Sequence, residues 1–235
     1  AWDESSEEAH WRNRENNQPF FSVFNFNVTH ESNIWKNETT YSAKELENVQ
    51  IPNFFPENSK IKSDFITNYK NIEKLDEQIG VIINQLKEDD LYDNTIIFFF
   101  SDHGGPFPRY KRSIYETGLR VPMIAKWIND KNRGNNYQLV SFVDFAPTVL
   151  DAANLKREFP FEGVSFFKKN NRSYVYAASD RFDEATDIRR SISDGKFKLI
   201  YNGDTSSPVY KSVRYRRQMQ TMQVLDSLEK NNELN

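Results

Sequence analysis

Asn94-Thr-Ile-Ile-Phe-Phe-Phe-Ser-Asp-His-Gly-Gly105 is the stretch on which the reading of this 235-residue chain turns. From Thr95 to Phe100 every residue is β-branched or aromatic and none is charged. Such a run predicts a strand buried on both faces, as in a parallel sheet covered by helices. It stops at Ser101-Asp102-His103-Gly104-Gly105. A carboxylate and an imidazole then stand at the C-terminal end of a buried strand, where open α/β sheets place their ligands. The two glycines let the backbone turn sharply and approach a ligand closely. Asp102 and His103 are both competent metal ligands. The alternative is a polar turn in which Asp102 caps the following segment.

The next eighteen positions favour chemistry. Gly105-Pro-Phe-Pro-Arg-Tyr-Lys-Arg-Ser-Ile-Tyr-Glu-Thr-Gly-Leu-Arg-Val-Pro122 sets Arg109, Lys111, Arg112 and Arg120 just beyond the acidic pair. A metal beside fixed cations suits an anionic group, because both neutralise charge that develops on oxygen. With Ser-Asp-His-Gly, a Lys nine residues after the Asp, and Tyr-Glu-x-Gly-x-Arg-Val-Pro in order, the chain resembles the sulfatases of the alkaline-phosphatase superfamily.

Pro19 to Thr29 reads as a second buried strand, carrying Phe20, Phe21, Val23, Phe24 and Phe26 and ending at Thr29-His30-Glu31. If the two strands lie side by side in a parallel sheet, His30 shares an edge with Asp102 and His103. Taken alone, His30 is more often a hydrogen-bonded loop histidine. The resemblance raises it, since sulfatases carry a Pro-Phe-Phe strand ending in a His that contacts the sulfate. By the same resemblance Lys111 holds a sulfate oxygen, with Arg109 near the substrate. Asp102 and His103 supply the second half of a divalent-metal site, usually calcium. The implied reaction is sulfate-ester hydrolysis on a sulfated glycan or a small sulfate ester.

The family's nucleophile is a formylglycine made from Cys or Ser in Cys/Ser-x-Pro-x-Arg. This sequence has no cysteine and no Ser-x-Pro-x-Arg. It also lacks the early strand bearing the family's first metal aspartates, and it begins at Ala1. The expectation is a C-terminal portion of a sulfatase, catalytically silent by itself, whose nucleophile lies in a longer native product. Two rivals remain open: a phosphoester or phosphonate hydrolase of the same superfamily, and a non-catalytic glycan- or anion-binding homologue.

Composition bounds the rest. Hydrophobic residues make up 37% and charged ones 28%, with 19 Phe and 11 Tyr, which supports a folded core. A net charge of −3 makes nucleic acid an unpromising partner. No apolar run is long enough to span a membrane. Sequons at Asn27, Asn37 and Asn171 weakly favour periplasmic, lysosomal or secreted placement.

Periodicity and turn chemistry predict the other elements. Ile61 to about Glu88 steps apolar residues by three or four and predicts the main helix. Glu31 to Lys60 reads as a long loop, in which Ile51-Pro-Asn-Phe-Phe-Pro56 packs on the surface or walls the site. Arg120 to Trp127 reads as a strand. Asp144 is a helix N-cap before Pro147 rather than a catalytic acid. Asp194-Gly195 marks a hairpin within Ser191 to Asn202. Arg189 or Arg190 could reach substrate, although surface charge on a strand is commoner. Val213 to Leu234 is a polar helix. His10 reads as a surface or packing residue rather than a ligand. The fold class is thus α/β, an incomplete alkaline-phosphatase-like mixed sheet flanked by helices, with a small C-terminal antiparallel sheet plus helix. The division expected is 1–168 for the catalytic-domain portion and 169–235 for the C-terminal subdomain.

Overall fold

The computed structural model describes residues 2–36, 39–128, 134–156, 158–167, 172–205 and 213–234. Sequons Asn37 and Asn171, and the expected division at 168/169, lie outside them.

The longest element is α3 (Ser59–Glu88), after two short helices, α1 (Ser32–Trp35) and α2 (Ala43–Asn48). Asn58 caps α3 by accepting from the Lys60 N–H at 2.9 Å. The expected apolar stripe is present, but burial is uneven along it. Ile61 and Phe65 are buried, whereas Tyr69 and Ile72 are 45% and 47% exposed. Helices α1 and α2, and later α6 (Gln220–Lys230), pack against α3. The core cluster therefore gathers around its first turns: Ile34, Phe55, Ile61, Phe65, Phe107, Met219 and Met222.

Helices α1 and α2 fall where a loop was expected. The signal for α2 is present in Ser42-x-x-Glu45, a capping box in which each side chain meets the other residue's backbone N–H. The Ile51–Pro56 segment divides. Phe55 enters the core, while Phe54 stays 42% exposed.

Strand β1 (Ile97–Phe100) pairs antiparallel with β2 (Met123–Lys126), with α4 (Glu116–Leu119) between them. This corrects the expectation of a parallel strand buried on both faces: Phe100 is 42% and Ile124 64% exposed. Pro19 to Thr29 forms no strand. Its apolar residues lie partly open, Phe21 at 62% and Val23 at 54%, and no described strand pairs with it. An extended apolar segment without a ladder partner is not held as sheet.

A 3₁₀ turn at Phe142–Asp144 leads into α5 (Phe145–Ala152). Asp144 is fully buried but does not cap α5 with its side chain. It accepts from the Ser141 N–H at 2.8 Å and the Val164 N–H at 2.7 Å, and pairs with Arg172. Its role is structural, as expected, by a different set of bonds.

The C-terminal sheet has order β3-β4-β5, built from Val175–Phe182, Ala185–Ser193 and Lys198–Asn202, all antiparallel. Asp194 closes the last hairpin by accepting from the Lys196 and Phe197 N–H groups. The helix expected over 213–234 breaks at Met219, whose ψ of 134° separates a 3₁₀ turn from α6. Buried Asp64 of α3 then accepts from both the N–H and the hydroxyl of Thr221 at 2.7 Å, tying the two helices together.

Candidate active site

The loop from Ser101 to Arg120 carries the site. The Gly104 N–H donates to Gly118 O at 2.9 Å and closes its base. A Cβ at Gly104 would stand 1.7 Å from the carbonyl oxygen of Thr117, so only glycine fits there. The loop is pinned to the core by Phe107, which stacks on Phe65 at 3.9 Å with the rings nearly parallel. Just beyond, Arg109 and Arg112 both take left-handed backbone angles, with φ of 69° and 65°. Non-glycine residues held there cost energy and point to a conformation imposed by the surroundings.

Four of the five expected site residues converge. His30 follows a turn closed by its own N–H on Asn27 O and stands at the start of α1. Its Nε2 lies 3.5 Å from Lys111 Nζ, across 81 positions of sequence. Its Nδ1 lies 2.9 Å from Ser32 Oγ. Lysine and a backbone N–H can only donate, so the Lys111 contact calls for a lone pair on Nε2 while the Ser32 N–H, 3.3 Å from Nδ1, calls for one there. Burial, and then the Lys111 charge, hold the His30 pKa below the usual histidine value, and His103 pushes the same way. The two sequence segments thus meet at one locus without being neighbouring strands.

Asp102 is open to solvent, with its carboxylate 3.6 Å from His103 Nε2. His103 Nδ1 donates to the Gly104 carbonyl at 2.7 Å, which in the neutral ring leaves the Nε2 lone pair toward Asp102. A carboxylate oxygen and an imidazole nitrogen 3.6 Å apart are donor types that fit part of a divalent-cation shell. They are far fewer than the ~6–8 oxygens that calcium takes. Among the described residues no three His, Asp or Glu side chains are placed to hold one metal ion.

Arg109 stands apart from this group. Its guanidinium lies 4.6 Å from the Phe54 ring centre and 5.4 Å from that of Tyr115, an exposed cation held between aromatic rings. Arg189 is buried against Asp187 at 2.8 Å. Arg190 pairs with Asp180 at 2.8 Å. His10 packs on Trp11 and contacts Gln85, as expected of a packing residue.

Sequence reasoning missed Glu31. Its carboxylate is fully buried beside Lys111 Nζ at 3.0 Å and Arg112 at 2.9 Å. Burial pushes its pKa up, but the bonds and charges of Arg112 and Lys111 outweigh this and hold it below the usual carboxylate value. The only signal in the sequence was an acid immediately after His30. Three further bonds brace the loop from the C-terminal side: Arg112 to Asp183 at 2.6 Å, Lys198 to Ile114 O at 3.2 Å, and Arg216 to Lys111 O.

Fold and site together define an α/β chain of the alkaline-phosphatase-like class, organised around a loop rich in cations. The family model named Sulfatase matches residues 3–155, and that of the N-sulphoglucosamine sulphohydrolase C-terminal region matches 107–235. The chain belongs to the sulfatase family. It is similar to the ulvan-active sulfatase of Formosa agariphila, at 41% identity over all of this chain and 46% of that protein. It is similar also to human N-sulphoglucosamine sulphohydrolase, at 27% identity over 44% of this chain and 21% of that one. The chain thus spans less than half the length of these relatives. A solved structure in complex with its substrate D-glucosamine-2-N,6-O-disulfate superposes with a TM-score of 0.51, at 22% identity over 74% of this chain and 38% of that one. A phosphonate monoester hydrolase from Silicibacter pomeroyi gives 0.50, at 14% identity over 75% and 42%. These two likenesses establish the fold.

Proposed function

We propose that this chain carries the sulfate-holding half of a sulfatase active site that acts on a sulfated carbohydrate. The carrying observation is the meeting of His30 and Lys111 at 3.5 Å from segments 81 positions apart. His30 and Lys111 contact the sulfate oxygens, and Arg109 meets the rest of the substrate. Asp102 and His103 contribute part of a divalent-metal shell, calcium by family resemblance, and such a metal would stabilise negative charge on the sulfate ester. The nucleophile, a formylglycine in the family, comes from outside these 235 residues. In this reading residues 1–168 belong to the catalytic domain and 169–235 form a subdomain that braces the site loop. The gene product works in a periplasmic, lysosomal or extracellular space. Among the described residues no helix is long and apolar enough to cross a membrane.

Family membership favours sulfate over phosphate, and relatives named for ulvan and N-sulphoglucosamine favour a glycan. The test is turnover of sulfated monosaccharides by the native gene product, with matched phosphate and phosphonate esters alongside. The expected result is hydrolysis of the sulfate ester and its loss, by about 10²-fold or more, in Lys111→Ala. Faster turnover of the phosphorus esters would assign the phosphohydrolase role instead. Binding without turnover of any ester would leave an anion-binding homologue.

A further inference from the structure

We infer that Glu31 is a positioning residue for the anion site, holding Lys111 against His30. The inference rests on the reading of His30 and Lys111 as sulfate contacts and adds a residue to it.

Glu31 immediately follows His30, and its side chain is wholly removed from solvent. A buried carboxylate is costly unless it is paired. Here Oε2 accepts from Arg112 at 2.9 Å, while Oε1 faces Lys111 Nζ at 3.0 Å and Arg112 at 2.9 Å as ion pairs without an aligned hydrogen bond. The carboxylate is therefore the common counter-charge of two loop cations. Lysine has four rotatable bonds and a compact charge, so by itself it does not keep one position. Arg112 is fixed on its other side by Asp183 at 2.6 Å in the turn between β3 and β4. The result is a chain Asp183–Arg112–Glu31–Lys111 that ends 3.5 Å from His30 Nε2. Glu31 has no exposed atom with which to touch a substrate, so it acts through Lys111.

Two roles for a buried anion beside an anion site predict opposite signs. If Glu31 only lowered the local potential, removing its charge would tighten binding of an anion. If it positions Lys111, removing the charge loosens binding, because the ammonium loses its fixed place.

The experiment is a double-mutant cycle on the native gene product. Calorimetry with inorganic sulfate is run on the wild type, Glu31→Gln, Lys111→Ala and the double variant, with unfolding temperatures measured in parallel. Glu31→Gln keeps the shape and one acceptor. The expected result is about tenfold weaker sulfate binding in Glu31→Gln, with no further loss when it is added to Lys111→Ala. Tighter binding, unchanged binding, or an equal loss in both backgrounds would overturn the positioning role. Should Glu31→Gln fail to fold, Asp183→Asn tests the same chain from its exposed end and is expected to weaken sulfate by a smaller factor, again only when Lys111 is present. Unchanged binding in Asp183→Asn would then overturn the role. If Lys111→Ala itself leaves sulfate binding unchanged, the anion-site reading fails and Glu31 falls with it. If only the glutamate variant is silent, that reading stands and this inference alone is lost.

Discussion

The His30–Lys111 contact sets what the site can do at different pH. His30 in the folded chain sits below the ordinary histidine pKa because it is partly buried and then because Lys111 is close. A histidine with a depressed folded pKa contributes stability that is present above its unfolded value, ~6.5, and lost as pH falls through the folded value. Lys111→Met is expected to raise the His30 pKa part of the way back, since burial remains. A proton NMR titration of the His30 ring would show this, and an unmoved pKa would mean that the two groups are not neighbours in solution. The same residue scale decides Gly104. A methyl group there meets a backbone oxygen that cannot move aside. Gly104→Ala is therefore expected to cost about 3 kcal/mol, at the upper end for overpacking, and chemical denaturation would measure it. A loss below about 0.5 kcal/mol would show that the loop base yields to the added methyl group.

At the scale of elements, Asp64 joins α3 to α6. Its carboxylate meets the first turn of α6 through Thr221, where unpaired N–H groups favour an acceptor. Burial nevertheless dominates and pushes its pKa up to about 6, against the pull of the Thr221 bonds. A raised folded pKa gives a stability contribution that is full below the unfolded value, ~3.9, and lost as pH rises through about 6. Asp64→Asn keeps an acceptor for the Thr221 N–H and has no proton to lose. It is expected to flatten the fall in stability between pH 4 and 7, by at most about 1.4 kcal/mol per pH unit, in urea denaturation across that range. An unchanged slope would assign the pH dependence to other groups.

The elements also show what the sequence made readable. Helix α3, β2 and the Asp194-Gly195 hairpin arise from local periodicity and turn chemistry, which depend on near neighbours. Residues 19–29 have the composition of a strand, yet strand formation needs a partner, and composition does not reveal whether one is within reach. The same holds for β1, whose apolar run shows that it is strand but not which way its partner runs. Asp102, His103 and Lys111 were named as candidates from an ordered motif, and His30 from the family resemblance of residues 19–30; the structure places His30 beside Lys111. Glu31 was not, because its importance lies in two cations 80 and 81 positions away that only the fold brings beside it.

The chain by itself exposes much surface for its mass. Its accessible surface is 16816 Å², whereas a closed monomer of 27.7 kDa would show about 11,000 Å² on the usual scaling with mass. Exposed large apolar side chains include Phe21 and Val23 on the unpaired segment, Phe100 and Ile124 on the β1–β2 ribbon, and one face of the C-terminal sheet. On that face the register puts Tyr176, Ile192 and Leu199 in one row and Tyr201 in the next, with Tyr176, Leu199 and Tyr201 each more than 60% exposed. Water-facing rows of this kind cost roughly 25 cal/mol per Å² relative to burial, so they drive association. The 235-residue chain produced by itself is therefore expected to bind a hydrophobic dye strongly, to self-associate in sedimentation, and to hydrolyse no sulfate ester. Leu199→Glu, placed mid-face, is expected to lower both dye binding and association. A monodisperse monomer that ignores the dye would show that these faces are covered in solution by the chain's own residues. Turnover of a sulfate ester by that same chain would place a nucleophile within it and remove the assignment of the site to one half of a larger catalytic centre.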